Sequence, residues 1–250
     1  MARPRKRAAR KPAAKAKRKV SAKTTLEGAA PGREPATARK RAPGRKAPPG
    51  LPMPQLLYEA KPAADVVDIP ARTAVSIEGA GGPEREAFGR SVGALYGVAY
   101  GLKFARKPAG RDFRIGPLEG RWWAEGAESR VFVAPRESWR WRLRIAVPDD
   151  VSETEVAGAV RAATSKKGGK LEGSADAARV ALERIPAETM GRVLHVGPYA
   201  DERASFEKIR AALEAAGRSG GLAHLEVYLS DPRRTRPEKL KTVLLLELAT

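Results

Sequence analysis

Apolar and polar residues alternate over short runs along this chain, and the runs recur in one order. Residues 65 to 70 and 72 to 79 predict two strands, and Pro83 then opens a helix over residues 84 to 104. Within that helix Phe88, Val92, Leu95, Tyr96 and Ala99 fall at three- and four-residue spacing, which makes one buried stripe. Strands follow at residues 113 to 123 and 140 to 147. The same sequence of elements then returns: strands at 179 to 185 and 191 to 197, a helix over 199 to 216, and strands at 222 to 230 and 239 to 248. Between the two sets, residues 151 to 166 predict an added helix, begun by Ser152 with Glu155 three residues on, the spacing of a capping box.

Duplication is the economical account of this order. The expected fold is α+β, with two strand-strand-helix-strand-strand units, antiparallel sheets and helices on one face. The lobes span about 60–150 and 175–250 and are joined by a linker helix within 151–170. Where their uncovered faces approach each other, a concavity is expected. In residues 139 to 145 the alternation is complete, with Trp139, Trp141, Leu143 and Ile145 on one side and three arginines on the other, which predicts a strand whose arginine face meets water.

Charge divides the chain into unlike parts. Residues 1–50 hold 17 of the 48 Lys and Arg but only 2 of the 29 acids, a net of +15 out of the chain's +19. Rich in Ala and Pro and without an aromatic residue, residues 1–51 are expected to be a disordered tail ahead of a globular domain at 52–250. A polycation of this kind binds nucleic acid non-specifically by releasing counterions, so nucleic acid is the expected partner of residues 1–50. No run approaches the roughly 20 consecutive apolar residues of a membrane span, and no secretory apolar region is found. The absence of cysteine removes disulfides, thiolate nucleophiles and Cys-type zinc sites together. These features fit a cytoplasmic protein associated with the nucleoid.

Candidate chemistry concentrates in two segments. In residues 224–229 the alternation places His224, Glu226 and Tyr228 on one face, and a buried carboxylate needs a cation, solvent or a ligand. In residues 111–123, Gly116-Pro117 and Gly120 are expected to bend the strand around Glu119, beside Trp122 and Trp123. An apolar wall of this kind raises a carboxyl pKa and suits a general acid. No metal site is expected, because His195, His224 and Glu226 match no zinc spacing, and no glycine-rich phosphate loop or serine elbow is present. No cofactor is expected.

The residues also carry a family resemblance. Residues 95–104, Gly116-Pro117-Leu118-Glu119-Gly120 with Trp122-Trp123, Leu194 to Tyr199 with Asp201-Glu202, and residues 226–232 with 237–242 together resemble the stand-alone GyrI-like (gyrase-inhibitor-like) small-molecule-binding proteins. The likeness runs in order through residues 52–250 and excludes the tail. It implies a two-lobed fold with a ligand cleft between lobes, and a glutamate at the position of Glu226 that faces cationic aromatic drugs in related regulators. Some stand-alone members are hydrolases that open the cyclopropane of cyclopropanoid toxins. On that resemblance Glu119 and Glu226 are the expected catalytic pair, one activating water and the other, protonated, assisting the carbonyl. Tyr96, Trp122, Trp123, Trp141, His224 and Tyr228 are the expected ligand-binding residues around a flat aromatic or electrophilic compound. Two other readings stand beside it: a sequestering protein without chemistry, and a DNA-associated protein acting through its tail.

Overall fold

A computed structural model describes residues 50, 52, 54–124, 133–165 and 175–249. The basic tail expected over residues 1–51 therefore lies outside the described residues, apart from Gly50, as does the far end of the linker expected up to residue 170. The chain runs β1 (Asp65–Ile69), β2 (Arg72–Ala80), α1 (Glu86–Arg106), β3 (Leu118–Ala124), β4 (Trp139–Val147), α2 (Glu153–Thr164), β5 (Ala181–Ile185), β6 (Glu188–Val196), α3 (Glu202–Ala215), β7 (Gly220–Tyr228) and β8 (Lys241–Leu248). The duplicated α+β order is present, and Ser152 caps α2 through the expected reciprocal bonds with Glu155.

All eight strands join one antiparallel sheet in the order β1-β6-β8-β7-β3-β4-β2-β5. The two halves exchange their first strands, since β1 pairs with β6 and β5 with β2. The pairing keeps one register throughout, from Asp65↔Arg192 to Ile69↔Glu188 and on from Arg72↔Ile185 to Ser76↔Ala181. Thus β1–β2 and β5–β6 act as two long strands lying side by side, each broken only at a proline, Pro70 or Pro186, which has no N–H for the ladder. Each end of the array is continuous with a strand inside it, so the sheet curls and its helix-free face is enclosed. Ala74, Ala146, Leu225, Val227, Val243 and Leu245 on that face are fully buried, with Leu57 from a short N-terminal turn packed among them.

This closure bears on two expectations. The arginine face of β4 meets water only in part: Arg140 and Arg142 are half-exposed, Arg142 bonding both Glu78 and Glu183, whereas Arg144 is 5% exposed and binds Glu183. Among the described residues the helix-free face is filled by its own apolar side chains.

The other face carries the helices. Leu95, Val98, Ala99 and Leu102 of α1 cover Val75, Ile77, Trp141, Leu143 and Ile145, while Phe206, Ile209 and Leu213 of α3 cover Val193, Leu244 and Leu246. Arg106 at the end of α1 is buried and bonds Asp150 and Glu155, tying α1 to the start of α2. Between the areas covered by α1 and α3 lies the seam where β3 pairs with β7.

Close packing under α1 depends on Gly79, where an added Cβ would lie 2.1 Å from the Trp141 ring. Because Trp141 is 1% exposed and packed among core residues beneath α1, the ring has little room to move. Gly79→Ala should cost about 1–3 kcal/mol. Denaturant unfolding measures this, and an unchanged midpoint would show that the ring yields freely.

Candidate functional site

Directly opposed residues of an antiparallel pair share a face, so the β3–β7 register decides what meets at the seam. Leu118↔Tyr228, Gly120↔Glu226 and Trp122↔His224 all point to the helix side. Glycine at position 120 is required by this geometry. A Cβ there would stand 2.9 Å from Trp122 Nε1 and 3.0 Å from the Tyr228 hydroxyl, the two atoms that hydrogen-bond to each other.

The polar groups form a directed chain ending on Glu226. Trp122 Nε1 donates to the Tyr228 hydroxyl at 3.1 Å, the Tyr228 phenol lies within electrostatic reach of the Glu226 side chain, and His224 Nε2 lies 2.9 Å from Glu226 Oε1. His224 also packs edge-on against Phe206 of α3, with centroids 4.7 Å apart. Tyr199, in the turn leading into α3, meets the Tyr228 ring at 6.0 Å in a T-shaped contact. It is 39% exposed, whereas Trp122, His224 and Glu226 are buried beneath. Burial and the negative charge of Glu226 push the Tyr228 phenol well up, and burial with the charges of Glu226 and Glu202 pushes Tyr199 up to about 12. Both phenols are therefore donors at neutral pH.

The first residue of α3, Glu202, completes the cluster. It is buried and its Oε1 has no hydrogen-bond partner among the described residues. Burial first, then the negative charge of Glu226, raises its pKa far above the usual carboxylate range. The helix N-terminus pulls the other way, but its contribution of roughly 0.3–1 kcal/mol is small beside the several kcal/mol needed to bury an unpaired carboxylate. Glu202 thus retains its proton at neutral pH.

The expected partner of Glu226 is not there. Glu119 pairs in register with Val227, so it points to the enclosed helix-free face, across the sheet from Glu226. It is fully buried, lies 3.4 Å from Arg72 Nη2, and burial raises its pKa against the opposing charges of Arg72 and Arg144. Gly116-Pro117 precede β3 instead of bulging it, and parity alone sets this direction. Trp123 shares that far face and takes Arg121 over its ring at 5.2 Å. Trp141 is core beneath α1, stacked edge-on with Phe88. Tyr96 lies on α1, where the charges of Tyr100, Asp231 and Arg233 reach it. Of the expected residues the seam brings together Glu226, His224, Tyr228 and Trp122.

Tyr199 and Glu202 went unassigned in the sequence. An acid in the first turn of a helix is commonplace, and only the parity of β7 relative to α3 reveals that this one is buried. His195, elsewhere on the same side, bonds Ser205 Oγ at 2.9 Å and the Pro198 carbonyl at 3.2 Å. Two cavities, of about 560 and 520 Å³, lie near Pro70–Arg72 and near Arg142–Glu183, away from Glu226. Among the described residues no group of His, Asp and Glu could hold a metal ion, and no helix is long and apolar enough to cross a membrane.

Comparison with known proteins agrees with this arrangement. The GyrI-like small molecule binding domain family matches residues 145–249. An uncharacterized conserved protein from Listeria innocua is similar at 30% identity, over 78% of this chain and 96% of that one, with a TM-score of 0.69. Two crystal structures of a hydrolase from Listeria innocua are similar at 29% and 28% identity over the same shares, with TM-scores of 0.68 and 0.67. No curated protein matches the chain.

The raised pKa of Glu202 has a consequence for stability. A carboxyl that holds its proton more tightly when folded makes its full contribution below its ordinary value of 4.5 and loses it as pH rises. Glu202→Gln cannot ionise, so its melting temperature should exceed the parent's by an amount that grows from pH 5 to pH 9, reaching about 3 °C or more. Thermal melts across that range check this, and a constant offset would mean that Glu202 ionises normally.

Proposed function

The chain belongs to the GyrI-like small-molecule-binding proteins, and from that membership we propose that it binds a flat, electrophilic compound over the β3–β7 seam and opens it by adding water. The observation that carries this reading is the pair of buried acids at the seam, Glu226 with His224 bonded to it and Glu202 beside it holding a proton. The hydrolases similar to this chain over nearly their whole length support it.

For a strained ring conjugated to a carbonyl, the chemistry divides between the two acids. A water oxygen forms a bond to the ring carbon while the ring C–C bond breaks, its electron pair passing to the carbonyl oxygen. Glu226 takes the proton from water and Glu202 gives one to that oxygen. The product is the substrate plus one water, and the proton lost by Glu202 is regained within the pair. Trp122, Tyr228 and Tyr199 supply aromatic surface for a flat substrate. Tyr199, half-exposed above the buried Trp122, His224 and Glu226, is the aromatic residue a substrate would meet first.

Incubation with a cyclopropane-bearing aromatic electrophile should yield a product heavier by one water in mass spectrometry. Glu226→Gln and Glu202→Gln should each lower turnover about 10²- to 10⁴-fold, whereas Glu119→Gln, on the far face, should keep it. Recovery of the bound compound unaltered by the parent protein would leave a sequestering protein without chemistry.

A second activity rests on the charge of residues 1–50, a net of +15. We propose that they hold the protein on nucleic acid through phosphate contacts. Binding to duplex DNA should vanish on deletion of residues 1–49, and affinity of the full chain should fall at least tenfold between about 50 and 200 mM salt. Affinity indifferent to salt would overturn this.

A further inference from the structure

The proposed chemistry gives His224 no task, yet the ring is packed at the heart of the seam. Its side chain is 2% exposed. It stands opposite Trp122 of β3 on one flank and opposite Leu246 of β8 on the other. The Phe206 ring of α3 meets it edge-on at 4.7 Å, with the planes inclined by 61°. A facing strand on each flank and a helix against the ring leave the imidazole little room to turn.

This held ring is bonded to Glu226, with Nε2 2.9 Å from Oε1. An ionised carboxylate can only accept, so the proton between them belongs to Nε2 and the ring is the donor. Residues two apart on a strand share a face about 6.5 Å apart, so the bond runs along β7 and fixes where the longer glutamate side chain ends. Exposure follows the same order, since the Glu226 side chain is 10% exposed against 2% for the ring. Of the bonded pair, the carboxylate is the member a substrate can reach. Tyr228 of β7, Tyr199 in the turn before α3 and Glu202 at its start are the ionisable groups within electrostatic reach of Glu226. Arg210, one turn beyond Phe206, is directed to the Gly220 and Gly221 carbonyls at 3.4 Å. Strands β3 and β8 set Gly120, Trp122, Leu244 and Leu246 opposite the pair, none of them ionisable.

We propose that His224 is a positioning residue for the water addition: by donating Nε2–H to Oε1 it aims the other oxygen of Glu226 at the attacking water, without touching the substrate. This rests on the hydrolytic reading above. A general base has to lie within hydrogen-bond reach of the proton it removes, and an untethered glutamate distributes itself among several staggered rotamers. Misplacement of a reacting group by about 1 Å costs about 10²-fold in rate. The imidazole itself gains and loses no proton in the step.

Turnover of a cyclopropane-bearing aromatic electrophile separates positioning from substrate contact. His224→Phe keeps a flat ring against Phe206 and Trp122 but removes the donor, so kcat should fall about 10- to 10²-fold with KM within about twofold. His224→Gln carries an amide N–H to about the place of Nε2 and should recover most of that loss. A raised KM at unchanged kcat would make His224 a substrate contact, and a His224→Gln no faster than His224→Phe would deny the donor; either overturns the proposal. A second measurement needs no turnover. A parent protein that yields no hydrated product removes the hydrolytic reading, and the bond to Glu226 is then decided by heteronuclear NMR of isotope-labelled histidine. His195 and His224 are the chain's only histidines, so the His224 signals are those missing from His224→Phe. They should show a proton on Nε2, far downfield, that moves upfield in Glu226→Gln. A bare Nε2, or a proton signal indifferent to Glu226→Gln, would overturn the assignment.

Discussion

The register between β3 and β7 is the constraint on which the chemistry of this protein depends. Strand side chains alternate, so a slip of one residue would send Glu226 into the enclosed interior and bring Glu119 to the helix side. Nothing in the local sequence prevents that slip. It is prevented by what each face contains: Leu225 and Val227 complete an apolar interior with Val243 and Leu245, and Trp122 fits beneath Phe88. Burial of these groups, worth about 1.5–3 kcal/mol each, outweighs any preference of the glutamates. The acids go where the apolar residues leave them.

Two buried glutamates on neighbouring strands consequently live in different surroundings. Glu119 faces Arg72 and lies near Arg144, and those arginines are themselves bound by Glu188 and Glu183. Opposite charges in an enclosed space hold one another in place, and the set contributes geometry more than net stability. Glu226 has no arginine bonded to it among the described interactions. It is met by a phenol, an imidazole and a second carboxyl. The two glutamates thus differ in what surrounds them, guanidinium groups at Glu119 and a phenol, an imidazole and a carboxyl at Glu226.

Periodicity revealed the repeat because a strand-strand-helix-strand-strand order is local information. The helices end within two or three residues of expectation, and β4 and β7 fall where alternation put them. The exchange of β1 and β5 between halves was invisible, since each strand's own pattern is compatible with either neighbour. Curling of the sheet follows from that exchange, so the burial of Arg144 and Glu119 could not be read from alternation either. The grouping of His224, Glu226 and Tyr228 on one face was legible because it needs only parity within one strand. Glu202 was not, because its burial depends on where α3 lies over β7, and that is settled by Gly191, against which Ile209 and Leu213 pack.

The duplication also explains why the seam is asymmetric. A symmetric repeat would place an acid on each of the two central strands, and opposed residues of an antiparallel pair have Cβ atoms only about 4.5–5.5 Å apart. Two ionised carboxylates at that distance and out of water could not both persist. One strand has to give up its acid at the opposed position, and here it is β3, with Gly120 facing Glu226. The vacated volume admits the Trp122–Tyr228 hydrogen bond, which aims a donor at the remaining carboxylate. The second acid then comes from a helix, not from the partner strand, and it keeps its proton. Electrostatic exclusion between like charges therefore leaves a single carboxylate on the two strands of the seam and a protonated one on the helix above it.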